Sequence, residues 1–213
     1  MINLLFENPA LFAIAVLGLV VAITIHEFAH AYAADKLGDP TPRLQGRVTL
    51  NPAKHLDPFG SLFILLVGFG WGRPVQFDPF NLENVRRDSA IISFAGPLSN
   101  LLLAAVIGLG SWLLGLGQPL PDLVASVLYL VIYTNVGLAV FNMIPVHPLD
   151  GFKIVEGLLP EDQAREWRGL ERYGFFFLIL LMIPLGNASM ISTVIRPVTT
   201  FLTGLFAGHL TGF

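Results

Sequence analysis

The sequence predicts an all-α membrane protein, a polytopic helical bundle forming one membrane-embedded domain over residues 1–213, with a short β-hairpin at its edge and a re-entrant segment. Three observations carry this. The 213 residues are 54% hydrophobic and only 13% charged, where a soluble domain carries about a quarter charged residues, and the mean hydropathy is +0.69. Apolar stretches long enough to cross a bilayer recur along the chain. Basic residues gather in two of the loops between them.

Residues 10–25 are apolar apart from Gly18 and Thr24, and Phe28, Ala29 and residues 31–34 continue the pattern to Asp35 and Lys36. At 1.5 Å per residue this is roughly 35 Å of helix, enough to span. It lacks a basic leader and is too long for a cleaved signal peptide. A second span is expected over 90–116 and a third over 123–143, joined through Gln118-Pro119-Leu120-Pro121 as a helical hairpin. Residues 173–185 suggest a short, aromatic-rich fourth span. A fifth, 190–206, is interrupted by Arg196-Pro197 and is expected to bend or to lie in the interface. Between spans one and two, 59–69 is apolar but too short to cross, which suits a re-entrant or interfacial segment. Before it, residues 43–50 alternate polar and apolar, the pattern of a short strand or hairpin at the membrane edge.

Orientation follows from charge. Arg43, Arg47, Lys54, Arg73, Arg86 and Arg87 lie between spans one and two, and Lys153, Arg165, Arg168 and Arg172 between three and four, while the connection from span two to span three has none. The positive-inside rule puts both basic loops in the cytoplasm of a multi-pass protein, expected in the cell membrane. With 12 basic against 15 acidic residues the chain has no nucleic-acid footprint. It contains no cysteine, so a metal would have to sit on His, Asp or Glu.

The chemistry starts within the first span, at His26-Glu27-Phe28-Ala29-His30. Histidines at i and i+4 project from one face of a helix, close enough to ligate one zinc. Glu27, one step round, is placed to take a proton from the water that such a metal activates. Three ionisable groups in an apolar span are costly unless they have partners or a function. A catalytic zinc needs a third protein ligand and an open position. Asp35 reads as a surface charge at the helix end. The better candidate is Asp150, where the third span breaks at Pro145 and Pro148 and ends in Asp150-Gly151. A carboxylate there can turn back toward the bilayer, although Asp-Gly by itself is also an ordinary turn signal.

His26-Glu27-x-x-His30 together with Asn142-x-x-Pro145-x-x-x-Leu149-Asp150-Gly151, and Gly96-Pro97-Leu98-Ser99-Asn100 between them, resembles the site-2 proteases, zinc metalloproteases that cut transmembrane substrates inside the bilayer. The likeness runs over about residues 6–159, as a three-helix catalytic core, with further helices over about 170–206. The resemblance implies Zn2+ held by His26, His30 and Asp150, Glu27 as catalytic base, Asn100 and Asn142 near the scissile peptide, and transmembrane proteins as substrates in regulated intramembrane proteolysis. A second copy or a regulatory membrane protein is open as a partner. There is no room for the PDZ or CBS domain many members carry, so regulation by an attached domain is not expected.

Other residues have both a functional and a plainer role open to them. His55 is a candidate to cap or gate the site, or to bind the metal in a resting state, against the ordinary reading of a solvated loop histidine. His147 is weighed against ligation because three ligands already suffice. His209 is expected at the surface. Asn100 in a span also suits a helix-to-helix hydrogen bond, and Phe175-Phe176-Phe177 suits a lipid-facing cluster. Two other classes compete. A membrane metal transporter would line its path with several ionisable residues, yet Glu27 is the only carboxylate well inside a predicted span. A catalytically silent, protease-like scaffold would usually have lost the glutamate or a ligand.

Overall fold

The computed structural model describes residues 2–67, 70–115, 120–185 and 188–210; Phe69 of the expected re-entrant segment and Gln118-Pro119 of the expected turn lie outside them. After a short helix α1 (Ile2–Glu7), Asn8 opens α2 (Pro9–Lys36) by accepting the Leu11 N–H on its side chain at 3.0 Å, with Pro9 in the first turn where no donor is needed. The helix ends at Leu37, and Gly38 at φ 106° turns the chain away.

The stretch over 43–50, expected as strand or hairpin, is instead the end of a one-turn helix α3 (Thr41–Leu44) followed by turns. Its prolines and Asp39 account for this. Asp39 is fully buried and accepts from Thr41 N at 3.0 Å and Thr41 Oγ1 at 2.6 Å, starting the turn. Gly46 takes φ 66°, and Arg47 N–H closes back on the Pro42 carbonyl at 2.8 Å. The same Asp39 carboxylate accepts from Asp78 N and Asn81 Nδ2, at 2.7 and 2.8 Å, and so clips both ends of the connection between spans one and two. Burial acts to raise the Asp39 carboxyl, but the hydrogen bonds from Thr41, Asn81 and Asp78 outweigh it and hold the group below its usual range. Within this connection α4 (Pro58–Val67) begins with Gly60 N–H on the Asp57 carboxylate at 2.7 Å; at 10 residues it extends about 15 Å, too short to cross.

Next comes α5 (Val85–Leu114), which starts before the apolar run does. Asn84 accepts from Arg87 N at 3.0 Å while Asp88 accepts from Asn84 N at 2.8 Å, a reciprocal cap that recruits charged residues into the first turn. The third long helix is α6 (Asp122–Asn142). α2, α5 and α6 are the three described helices long and apolar enough to cross a membrane, and they pack on one another. The buried seam of α2 is Ala15, Gly18, Ala22, His26, His30 and Ala34, at spacings of three and four. Leu17 and Val21, off that line, are 64% and 45% exposed. Small residues on the seam let backbones approach closely, which in lipid is the main source of helix association.

α7 (Asp150–Leu158) packs against α5 and carries α8 (Glu161–Arg168), while α10 (Met190–Ala207) packs against α6 and α5 with α9 (Gly174–Met182) beside it. α10 closes the far side, where Ala104, Ile132, Val136 and Ala207 form a buried cluster. The expected fourth span is not one crossing helix. α9 has 9 residues, about 14 Å, because Pro184 forces Ile183 out of the helical region to ψ 127°. A two-residue antiparallel pair follows, β1 (Pro184–Leu185) with β2 (Ala188–Ser189). The expected interruption at Arg196-Pro197 is also absent, since α10 runs through Pro197. Phe175, Phe176 and Phe177 are all exposed on α9.

Candidate metal centre

His26 and His30 are both buried, one turn apart on the α2 face that meets α5, with ring centroids 4.5 Å apart and planes at 88°. Each ring is held by its Nδ1, that of His26 on Asn100 Oδ1 at 2.8 Å and that of His30 on the Ile92 carbonyl at 2.7 Å. Asn100 is fixed the other way round by its amide, which donates to the Ala22 carbonyl and to Asn135 Oδ1, both at 2.9 Å. Its oxygen therefore faces His26. With protons on both Nδ1 atoms the two Nε2 atoms carry lone pairs, the arrangement metal-ligating histidines take from such outer partners.

Both lone pairs point at Asp150. Its Oδ2 is 3.1 Å from His26 Nε2 and 3.3 Å from His30 Nε2. Asp150 opens α7, and Gly151 beside it has no room for a side chain: a Cβ there would sit 2.5 Å from the Ile144 carbonyl oxygen. The Asp-Gly pair thus seats the start of α7 against the end of α6, which turns the carboxylate back toward α2. Gly96 on α5 does the same for the imidazoles, since a Cβ would lie 2.5 Å from His30 Nε2 and 2.7 Å from His26 Cε1.

This donor set fits a metal. The three ligand atoms lie within 4.8 Å of one another, and Asp150 Oδ2 is buried without a hydrogen-bond donor. Three electron-pair donors converging in a buried place repel unless a cation sits among them, and two imidazoles with one carboxylate suit zinc and leave a fourth position open. Glu27, the next residue on α2, accepts the Val75 N–H on Oε2 at 3.1 Å and has the Arg47 guanidinium 3.9 Å away. Removing the Asn100 amide should release the His26 ring. We expect Asn100→Ala to lower zinc affinity about 10- to 100-fold, measured by competition with a chromophoric chelator.

The remaining candidates lie apart from this cluster. Asn142 is half-buried at the end of α6 and donates to its own helix at the Leu138 carbonyl, 3.0 Å away. His55 is fully buried, its Nε2 on the Thr49 carbonyl at 2.7 Å. Burial pushes that imidazole below its usual range, against the pull of the Thr49 bond. It is a neutral hub of the loop, not a solvated residue. His147 packs edge-on against Phe152 and lies 3.6 Å from Glu171. His209, exposed, meets Ser111 at 2.8 Å at the other end of α5. Sequence reading passed over Asn135, whose only signal was a polar side chain in an apolar span, and Arg47, which it counted as a loop charge.

Fold and site together define a multi-pass membrane protein with a zinc-type His, His, Asp centre beside a glutamate. The family model "Peptidase family M50" matches residues 14–120 and 118–181, and the chain belongs to that family, the site-2 zinc metalloproteases. It is 41% identical over 192 residues to "Putative zinc metalloprotease YwhC" of Bacillus subtilis, covering 86% of each chain. It is 30% identical over 181 residues to "Putative zinc metalloprotease Rip2" of Mycolicibacterium smegmatis, covering 81% of this chain and 67% of the relative. A shorter match, 35% over 104 residues, joins it to "Putative zinc metalloprotease Rip3" of Mycobacterium tuberculosis, 47% of this chain and 26% of the relative. No solved structure matches the chain.

Proposed function

We propose that this metalloprotease hydrolyses peptide bonds within transmembrane segments of other membrane proteins, in regulated intramembrane proteolysis, with His26, His30 and Asp150 as zinc ligands and Glu27 as base. The observation that carries the reading is the convergence of His26, His30 and Asp150 beside Glu27 on a helix long and apolar enough to span. Zinc, when bound, polarises the scissile carbonyl and brings the pKa of water from 15.7 to about 7. Glu27 takes the proton of the attacking water and passes it to the leaving nitrogen. Asn100 and Ile92 hold the imidazoles in one tautomer throughout. Asn142, at the end of α6, is proposed to touch the substrate, and His55 to govern access through the loop it anchors.

From His30 to Lys36 is about 9 Å of helix, so the centre lies below the membrane surface that receives the basic loops. With the positive-inside rule this puts it toward the cytoplasm. A cysteine introduced at Arg86 is expected to react with an impermeant reagent only after permeabilisation, and one at Asp122 in intact cells; the reverse pattern would invert the orientation. The chain has no cysteine to remove first.

A substrate helix hides its peptide bonds in its own hydrogen-bond ladder and must unwind to be cut. Gly costs a helix about 1 kcal/mol and Pro about 3, so either residue near the cleavage point should raise the rate. The test is purified protein in detergent with single-span peptides in which Leu-to-Gly changes walk along the span, with and without a zinc chelator, read by mass spectrometry. Cleavage that persists in chelator, or that falls only outside the spans, would defeat the reading.

A further inference from the structure

Residues 72–75, between α4 and α5, lie against α2 and bring a backbone N–H to Glu27. Arg73 N–H donates to the His55 carbonyl at 2.7 Å, Leu56 and Gly72 form an isolated antiparallel bridge, and Val75 N–H reaches Glu27 Oε2. The backbone runs so close that a Cβ at Gly72 would lie 2.9 Å from Ile23 Cγ2 and 3.5 Å from Glu27 Oε1. One side chain joins these parts. Arg47 is 5% exposed, its Nη2 donates to the Arg73 carbonyl, and the same nitrogen is 3.9 Å from Glu27 Oε2.

A buried guanidinium is an expensive way to hold a loop. Its desolvation is offset only by good partners, and a well-packed apolar residue often serves stability as well or better. Here Arg47 Nε is buried and meets no hydrogen-bond acceptor among the described residues. What Arg47 does that an apolar group cannot is place one charged nitrogen between a carbonyl, which it holds by a hydrogen bond, and a carboxylate, which it attracts by its charge. The Val75 N–H and the Arg47 guanidinium both meet Glu27 at Oε2, which leaves Oε1 to take a proton.

We infer that Arg47 is a positioning residue for Glu27: by clamping residues 72–75 over α2 it orients the carboxylate for proton transfer. The inference rests on the reading of Glu27 as base. In the full chain in detergent, Arg47→Gln should lower kcat about 100-fold, the loss expected of a misplaced reacting group, with KM changed by less than about twofold and zinc content unchanged. Arg47→Lys, which keeps a charged donor but on a shorter side chain, should recover about tenfold of that loss. Hydrogen exchange over residues 71–77 should quicken in Arg47→Gln. Wild-type kcat or unaltered exchange in Arg47→Gln would overturn the inference. Should that variant lose zinc or fail to fold, Val75→Pro decides: it removes the N–H on Glu27 and fixes φ at that residue while leaving Arg47 in place, and a wild-type kcat there would show that residues 72–75 do not orient the carboxylate and would overturn the inference. If the unaltered protein cuts no peptide, the protease reading fails and exchange alone decides the clamp.

Discussion

Glu27→Gln is expected to bind zinc as the parent does, to keep the fold, and to cut substrate about 100- to 10,000-fold more slowly, the range a general base contributes. The carboxylate and the amide have nearly the same shape, and an amide oxygen can still accept the Val75 N–H that meets Oε2 at 3.1 Å. Glu27 contributes no atom to the cluster of His26, His30 and Asp150, so the metal should not notice the exchange. What the amide cannot do is take a proton. The assay is single-turnover cleavage of a single-span peptide together with metal analysis of the same preparation. Wild-type rates would remove Glu27 from the mechanism, and loss of zinc with activity would make it a structural residue. The experiment also separates hydrolysis from transport or scaffolding, neither of which requires a base.

The part of this molecule legible in the sequence is the part governed by helical period and span length. His26 and His30 share a face because they are four residues apart, and the span around them is a span because a bilayer demands about 20 apolar residues. Asp150 could be found by asking where a third ligand might come from, since the only cost of looking was one proline-broken helix end. The hairpin expected over 43–50 is absent for a definite reason. Alternation over eight residues is also what a proline turn yields when Arg47 folds inward, and period alone carries no record of which face is buried. The fourth span failed on the residue before Pro184, a local rule that outweighs apolar composition. Arg47 and Asn135 were illegible because their roles depend on where a loop and a neighbouring helix come to rest. Asn100 shows the intermediate case: an asparagine in a span announces a hydrogen bond, but only the fold says that the bond goes to His26.

Asp150→Ala should lose the metal and the activity together, and its effect on stability should depend on zinc. The wild-type carboxylate places a buried oxygen without a hydrogen-bond donor within 3.1 and 3.3 Å of two imidazole nitrogens. Without metal a proton on one imidazole can pair with the same carboxylate, so the variant and the parent are compared by the shift in unfolding temperature that zinc produces in each. With zinc the parent gains binding free energy that the unfolded chain cannot match, about 4.1 kcal/mol when free metal is 1,000 times Kd. The variant keeps two imidazoles held by Asn100 and Ile92 but no anionic ligand, and a two-ligand site falls short of the three that a catalytic zinc requires. Thermal unfolding in detergent with and without zinc, alongside metal analysis, makes the comparison. A zinc-dependent rise in unfolding temperature that survives in Asp150→Ala, or full metal occupancy in that variant, would show that the third ligand lies elsewhere. Asp150→Glu sharpens the result. The longer side chain keeps the charge, but the seat of α7 against the Ile144 carbonyl at Gly151 leaves it no room to withdraw, so some zinc should return without the wild-type rate.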